Sequence, residues 1–578
     1  MGGWFVCRKD DDAQERLAAA ERQFAAHGFG NPRRIETPAH TGLVVGHIHP
    51  GPAATYARDG DDFIAVAGTL FYDGEASEAA LLRLLHDLTL PFNQWERVTG
   101  HFALLASKAG RLYVFNDYFG AFHVYATPGH EVVTTSFLAA AGALPRVSFD
   151  AQGVYEFAFN ATPLGESTVL REITKLAPIE QLELGETVLV HAVTKGLNAR
   201  FDPAAADAKR QADRLRDLFA APLRTFGDNI QCPLSGGFDS RLVLALLLDA
   251  GVKPHVYVYG TPGDEDVSVA TAIGKAEGFE VEVFNKAAYA KVDPDQFAEI
   301  VQHNFHEMDG VPIDGGLFDN GGNSVARHNR ARGGALAVSG AAGEIFRNYF
   351  YLRDRPFQSR DILYAFYSGF DPDDCTAEFK ETAYFDAMDA KLCRALSSGD
   401  GNLSRAEVES AYPLFRCPAF FGREISLVSR FGSYFMPFFE YNIVRHTIGI
   451  PVSARNHGAF QSQLLATIHP RLAGYMSAYG HSFTEPASFG HRLSEAVSLY
   501  RPPWLRRYGW RMKQAVKGRP SLNPTGYMAP DYLGRVVDLE FPAMRRFFRM
   551  EHVADMMLYR RIATLEHLAG KLGSRLQR

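Results

Sequence analysis

Cysteine is scarce in this chain: five residues in 578 (Cys7, Cys232, Cys375, Cys393 and Cys417), with no Cys-x-x-Cys pair among them. That spacing excludes a disulfide framework and a thiolate metal cage, and it fits a reducing compartment in which the thiols are packing residues. The twenty histidines form no His-Glu-x-x-His or other metal motif. No run approaches the roughly 18 apolar residues that a membrane span needs. The opening Met-Gly-Gly-Trp-Phe-Val-Cys-Arg-Lys-Asp-Asp-Asp places its apolar residues before its basic ones, the reverse of a secretory signal. Val6 also stands where a myristoylation signal has Ser or Thr. Charge of one sign is missing too, because a formal net charge of -6 is small for this length and gives no global field for nucleic acid or membrane. The reading at this point is a soluble, cytoplasmic protein with no membrane partner and no specific nucleic-acid binding.

What is present is core-forming material: 46% hydrophobic against 22% charged residues. At roughly 100–200 residues per domain, the length predicts two to four domains. The early part reads as strands and short helices between Gly and Asp turns. Asp62–Tyr72 and Arg111–Tyr118 have strand character, Ala76–Leu88 has helical spacing, and Gln181–Val193 reads as a hairpin around Gly185. A break rich in Gly, Asn, Pro and Ala at 195–206 divides the chain into 1–200 and 201–578. Beyond it, 207–221 reads as a helix that Pro222 ends or kinks. The segments 230–234, 241–250, 256–259, 267–277 and 281–284 then alternate as β-α-β-α-β, which predicts a parallel sheet. Pro233 fits that scheme only at a strand end, where pairing stops. From Ile362 onwards the chain reads as mainly helical.

Between the first of these strands and the following helix lies Leu-Ser-Gly-Gly-Phe-Asp-Ser. Gly236 and Gly237 let the backbone turn tightly and approach an anion without a Cβ in the way. The N–H groups at the helix start then face that anion, and Ser235 and Ser240 can add hydroxyls. Asp239 would repel phosphates unless it holds a cation, which points to Mg²⁺ bridging them. A plain Gly-Gly turn is the competing reading; both serines, the aspartate and the flanking strand and helix count against it. The loop matches neither GxxxxGK[ST] nor GxGxxG.

At these residues the chain resembles the asparagine synthetase family, which includes β-lactam synthetases and lasso-peptide cyclases. Further segments are similar and follow the family's order: Met1-Gly2-Gly3, the 67–74 segment AGTLFYDG, Gly100–Ala103 with Asn116–Gly120, the 167–176 segment STVLREITKL, and 434–451. The resemblance implies an α+β glutaminase-like (Ntn-type) sandwich. It also implies a following α/β parallel-sheet ATP-pyrophosphatase (PP-loop) domain with a helical C-terminal part. The reaction it implies uses ATP and Mg²⁺: a carboxylate is adenylated, pyrophosphate leaves, and an amine displaces AMP. The substrates would be a small molecule or peptide supplying the carboxylate and the amine, and a homodimer stays open.

The chain departs from the family in three places. Where the glutaminase has its N-terminal cysteine nucleophile, this chain has Gly2, so glutamine is not expected to be hydrolysed. Cys7 cannot replace that cysteine and reads as a buried strand residue. The family's adenylate-binding segment is matched by Ser339 and Gly340 at its start and by Glu344, Phe346 and Tyr349 at its end, but it is one residue short and lacks both inner acids. Glu344 either takes a metal ligand's role or caps the following helix, and Arg347, new at this place, could neutralise pyrophosphate directly. No lysine stands in 453–465, where the family has a catalytic one; Arg455 and His457 are the candidates there, with surface helix residues as the bland reading.

Two other features keep alternatives. Arg501–Arg519 interleaves seven basic residues with Trp504, Tyr508 and Trp510, either as a docking face for an anionic partner or as a solvated surface. Glu307 and Asp309 either touch substrate or cap a turn. The leading function is an ATP-dependent amide ligase. Its alternatives are a lactam or macrolactam cyclase of the same chemistry, a glycan- or metabolite-amidating homologue, and an ATP-binding pseudoenzyme or scaffold.

Overall fold

The structure is a computed structural model and describes residues 2–197, 199–313, 316–512 and 521–577. It is a mixed α/β architecture that combines antiparallel and parallel sheets. The first strand, Gly3–Arg8, is buried along five of its six residues and sends alternate side chains into two layers. Trp4 and Val6 join a core with Ile64, Val66 and Leu104, while Phe5 and Cys7 pack with Leu17, Ala20 and Phe24 of the helix Ala13–Ala26. This strand lies inside a six-stranded antiparallel sheet, between Val132–Thr134 and His40–Val45. A second six-stranded antiparallel sheet contains Asp62–Gly68, Phe102–Lys108 and Arg111–Asn116. The Trp4 indole donates to the Ala103 carbonyl at 3.3 Å and so ties one sheet to the other.

The hairpin expected around Gly185 is formed by Glu180–Leu184 and Val188–Ala192. The strand expected over 62–72 is interrupted after Gly68, whose φ of +99° turns the chain at a point where a Cβ would lie 2.2 Å from the His101 carbonyl oxygen. Asp117 holds the next turn, accepting from the N–H groups of Phe119, Ala121 and Phe122 at 3.2, 2.9 and 2.9 Å.

The expected β-α-β-α-β run is present as β1 (Ile230–Pro233), α1 (Phe238–Asp249), β2 (His255–Tyr259), α2 (Glu265–Glu277) and β3 (Val281–Phe284). Two later strands, β4 (Leu336–Val338) and β5 (Tyr434–Phe435), complete a five-stranded, all-parallel sheet in the order β3-β2-β1-β4-β5. Pro233 is the last residue of β1, and Leu234 resumes donation, to the Tyr257 carbonyl at 2.8 Å. The order reverses at β1, so the crevice above the carboxyl ends of β1 and β4 is the topological switch point where open α/β sheets bind ligands.

Pro222 does not end its helix. The helix runs Ala208–Phe226 with Pro222 inside, because its buried face (Leu215, Leu218, Phe219, Phe226) outweighs the one hydrogen bond that proline removes. The remainder is mainly helical, as expected, and closes with Leu576–Gln577 pairing in parallel with Val147–Ser148. Among the described residues no helix is long and apolar enough to cross a membrane.

Candidate functional site

The loop after β1 and the segment after β4 meet at the switch point. Ser240 closes the loop: its Oγ accepts the Ser235 N–H at 2.9 Å and lies 2.9 Å from the Ser235 Oγ. The two hydroxyls expected to face an anion are therefore engaged first with each other. Gly236 donates its N–H to Asp266 at 2.8 Å, and a Cβ on it would sit 2.6 Å from the Ala478 Cβ. Gly237 precedes α1 and gives it no side-chain cap, which leaves the first-turn N–H groups for a ligand.

Asp239, in the first turn of α1, is enclosed by the segment after β4. A Cβ on Gly340 would come 2.6 Å from the Asp239 carbonyl, and one on Gly343 would come 2.2 Å from the carboxylate Oδ1. Both glycines are required by this approach. Between them Ala342 takes φ +67°, a left-handed conformation that costs a non-glycine residue on the order of 1 kcal/mol. Ser339 leaves β4 with its N–H on the Phe435 carbonyl at 3.0 Å, and its Oγ accepts the Ala341 N–H at 3.2 Å.

Apart from Asp266, which accepts from the loop, three charged groups meet here: the Asp239 carboxylate, Glu344 and Arg347. Burial raises the Asp239 pKa, the Glu344 carboxylate beside it raises it further, and Arg347 and the Gln461 amide oppose them. Glu344 takes the Arg347 guanidinium at 3.1 Å and the Tyr412 hydroxyl at 2.7 Å. It does not cap the short helix Gly343–Phe346, whose N-cap makes no side-chain hydrogen bond. Arg347 supplies one positive charge against the two carboxylates of Asp239 and Glu344, and a cation held by them would offset the remaining negative charge. Among the described residues no three His, Cys, Asp or Glu side chains converge as a metal cage. Two carboxylates nevertheless suit Mg²⁺, which commonly takes one or two from protein and the rest from phosphates and water.

Several residues of this site carry no motif. Gln461 donates to Asp239 at 3.2 Å and to the Gly343 carbonyl at 3.0 Å, so the residue of 453–465 that reaches the site is a neutral amide. Residues 472–483 cover the loop: Ala478 donates to the Gly236 carbonyl at 3.0 Å, and the Tyr479 hydroxyl lies 3.5 Å from where a Cβ on Gly237 would be. Fully buried Arg241 fastens that cover, donating to the carbonyls of Leu472, Tyr475 and Met476 at 3.3, 2.8 and 3.0 Å.

No family model matches the chain, and no curated protein does. Among solved structures it is similar to the glutamine phosphoribosylpyrophosphate amidotransferase from B. subtilis complexed with ADP and GMP, at 12% identity over 49% of this chain and 65% of that one, with a TM-score of 0.22. A structure titled as the allosteric regulatory enzyme of purine biosynthesis matches at 11% identity over the same shares, also at a TM-score of 0.22. The chain thus spans about 65% of the length of each of these two structures. At those scores the likeness assigns no activity, and the geometry stands by itself.

Other sequence candidates lie elsewhere. Gly2 is buried and donates its N–H to the Val45 carbonyl at 3.0 Å. Cys7 is buried in the first strand, where burial pushes its thiol up to about 12. Arg455 is not a surface residue: it is fully buried, ion-paired with Glu409, and donates to the carbonyls of Ile448 and Ile450 at 2.8 Å, which occupies its guanidinium. His457 pairs with Glu495 at 2.5 Å. Asp309 caps the helix Phe137–Gly142 through the Phe137 and Leu138 N–H groups at 2.7 and 3.0 Å, and Glu307 accepts from His328 at 2.9 Å. Of the basic stretch, residues 513–520 lie outside the described residues; within the rest, Arg507 and Arg511 both pair with Glu381, at 2.8 and 2.6 Å.

Proposed function

We propose that the chain is an ATP-dependent carbon–nitrogen ligase that adenylates a substrate carboxylate and joins it to an amine without hydrolysing glutamine. The observation that carries this reading is the meeting of the Ser235–Ser240 loop with the Ser339–Arg347 segment at the switch point of the parallel sheet, with Gly340 and Gly343 pressed onto Asp239. On this reading the antiparallel sheets form a glutaminase-like (Ntn-type) sandwich without its nucleophile, and the parallel sheet is a PP-loop domain. A carboxylate oxygen attacks the α-phosphorus of ATP, and the bond to the bridging oxygen breaks as pyrophosphate leaves. The amine then attacks the acyl carbon, AMP departs, and the amine proton passes to water.

The loop N–H groups and the uncapped start of α1 bind phosphate oxygens. Arg347 offsets charge on the leaving pyrophosphate. Asp239 and Glu344 would hold Mg²⁺, which when bound would offset negative charge on the phosphates. The neutral Gln461 beside Asp239 favours one second reading, a pseudoenzyme that binds ATP without turnover.

ATP–pyrophosphate exchange with a panel of carboxylic acids separates the two readings. The ligase shows exchange with at least one acid, and Asp239→Ala lowers it by about 100-fold or more. ATP binding without exchange for any acid would leave the pseudoenzyme.

A further inference from the structure

Away from this site a solvent-open cleft runs between the antiparallel sheets and the helical part of the chain. Tyr118, Phe119, Phe415 and Pro418 wall it, and Lys175 and Lys195 border it. Both lysines are buried, 8% and 7% exposed. Lys175 donates to the Pro163 carbonyl at 3.0 Å. Lys195 donates to the carbonyls of Asp117 and Tyr118 at 3.3 and 3.0 Å and lies 3.9 Å over the Trp95 ring. Among the described residues neither makes an ion pair. The other two cations of the cleft do: Lys391 with Glu156 at 2.7 Å and Arg394 with Glu166 at 3.4 Å. Carbonyl oxygens satisfy N–H donors but carry no full charge, so of the four cations only Lys391 and Arg394 have a carboxylate at ion-pair distance, while Lys195 feels Asp117 from further off. Burial pushes both lysines down to about 7, helped at Lys175 by the neighbouring Lys391 and outweighing the opposing pull of Glu156 and Glu166 on Lys175 and of Asp117 on Lys195.

We propose that this cleft binds a small organic carboxylate, with its negative charge facing Lys175 and Lys195 and its apolar body against Tyr118, Phe119 and Phe415. A phosphate fits less well: the cleft's one arginine is already engaged by Glu166, and the walls are aromatic rather than a nest of N–H groups. The proposal does not depend on the ligase reading. Phe415 belongs to the π-helix Tyr412–Arg416, whose Tyr412 holds Glu344, so an occupant would rest on the element that positions that carboxylate.

Benzoate is the probe, with benzamide as its neutral isostere and inorganic phosphate as the alternative anion, each titrated into the full chain by calorimetry. Benzoate is expected to bind saturably, with benzamide and phosphate at least about tenfold weaker, and to shield Lys175 and Lys195 from acetylation as read by mass spectrometry. Lys195→Met and Lys175→Met are each expected to weaken benzoate by about tenfold; should either fail to fold, the shielding of the unaltered chain decides. Absence of benzoate binding, equal binding of benzamide, tighter binding of phosphate, or benzoate binding that shields neither lysine would each overturn the proposal.

Discussion

At the scale of single residues, position 2 has no room for chemistry. A Cβ on Gly2 would lie 2.2 Å from the Phe29 Cε1 and 2.6 Å from the Gly46 carbonyl oxygen. Turning Phe29 away relieves the first contact but leaves the second, which is backbone. Any nucleophilic side chain there must therefore displace the backbone that continues the strand His40–Val45. Gly2→Cys is expected to destabilise the protein by about 1–3 kcal/mol, the usual cost of overpacking, and to release no glutamate from glutamine. Urea unfolding and a glutamate assay check both; a variant as stable as the parent that hydrolyses glutamine would overturn this expectation. The same reasoning applies around Asp239, where Gly340 and Gly343 leave no space for a methyl group. Those two glycines are visible in the sequence, but what they press against is not.

At the scale of elements, the glycine loop is held from above as well as from its own helix. Arg241 on α1 takes three carbonyls of the 472–476 stretch, and Phe238 meets the Phe483 ring edge-on with centroids 5.4 Å apart. Arg241→Met removes the donors and leaves those carbonyls buried, a loss of about 1–3 kcal/mol each when nothing replaces the partner. The covering segment is then expected to open locally. Hydrogen exchange of the Ala478 amide, which is bonded to the Gly236 carbonyl, should accelerate at least about tenfold, the equivalent of 1.4 kcal/mol. Unchanged exchange at Ala478 would mean that Arg241 does not hold the cover. None of this was legible in advance, because Arg241 reads as an ordinary charge on an apolar helix and its partners lie more than 230 residues away. Gln461 and Tyr412 escaped notice for the same reason: they reach the site from 222 and 68 residues away, and neither carries a motif.

At the scale of the whole molecule, the β-α-β-α-β run is legible because β1 and β2 are short apolar stretches closed by Pro233 and Gly260, β3 follows the helix-ending Gly278, and the helices between them are separately periodic. The strands β4 and β5 are not: three and two residues long, they are paired only by the sheet they enter. What unites the early and late parts of the chain is also invisible locally. Asp309 is fully buried, bonded to the Ser136 hydroxyl at 2.6 Å and to the Phe137 N–H at 2.7 Å on one side, and ion-paired with Arg430 at 2.8 Å and Arg423 at 3.5 Å on the other. His27 faces the same Arg430, and burial together with that cation pushes the imidazole down to about 3. Arg430, Arg423 and His27 hold the Asp309 carboxyl well below the usual carboxylate range, against the opposing effect of burial.

Both shifts make acid destabilising. The unfolded chain takes a proton at His27 below about pH 6.5 and at Asp309 below about pH 4, while the folded chain resists each until much lower pH. Stability contributed by Asp309 is therefore full above about pH 4 and is lost as the pH falls towards its folded value. Asp309→Asn leaves two buried arginines without their carboxylate, so at pH 7 it is expected to cost about 3–5 kcal/mol in urea unfolding. Its melting temperature should also fall less steeply than the parent's on acidification below pH 4, because the group that titrates is gone. An equally steep acid limb in the variant would show that the carboxylate joining the two parts of the chain is not what acid attacks.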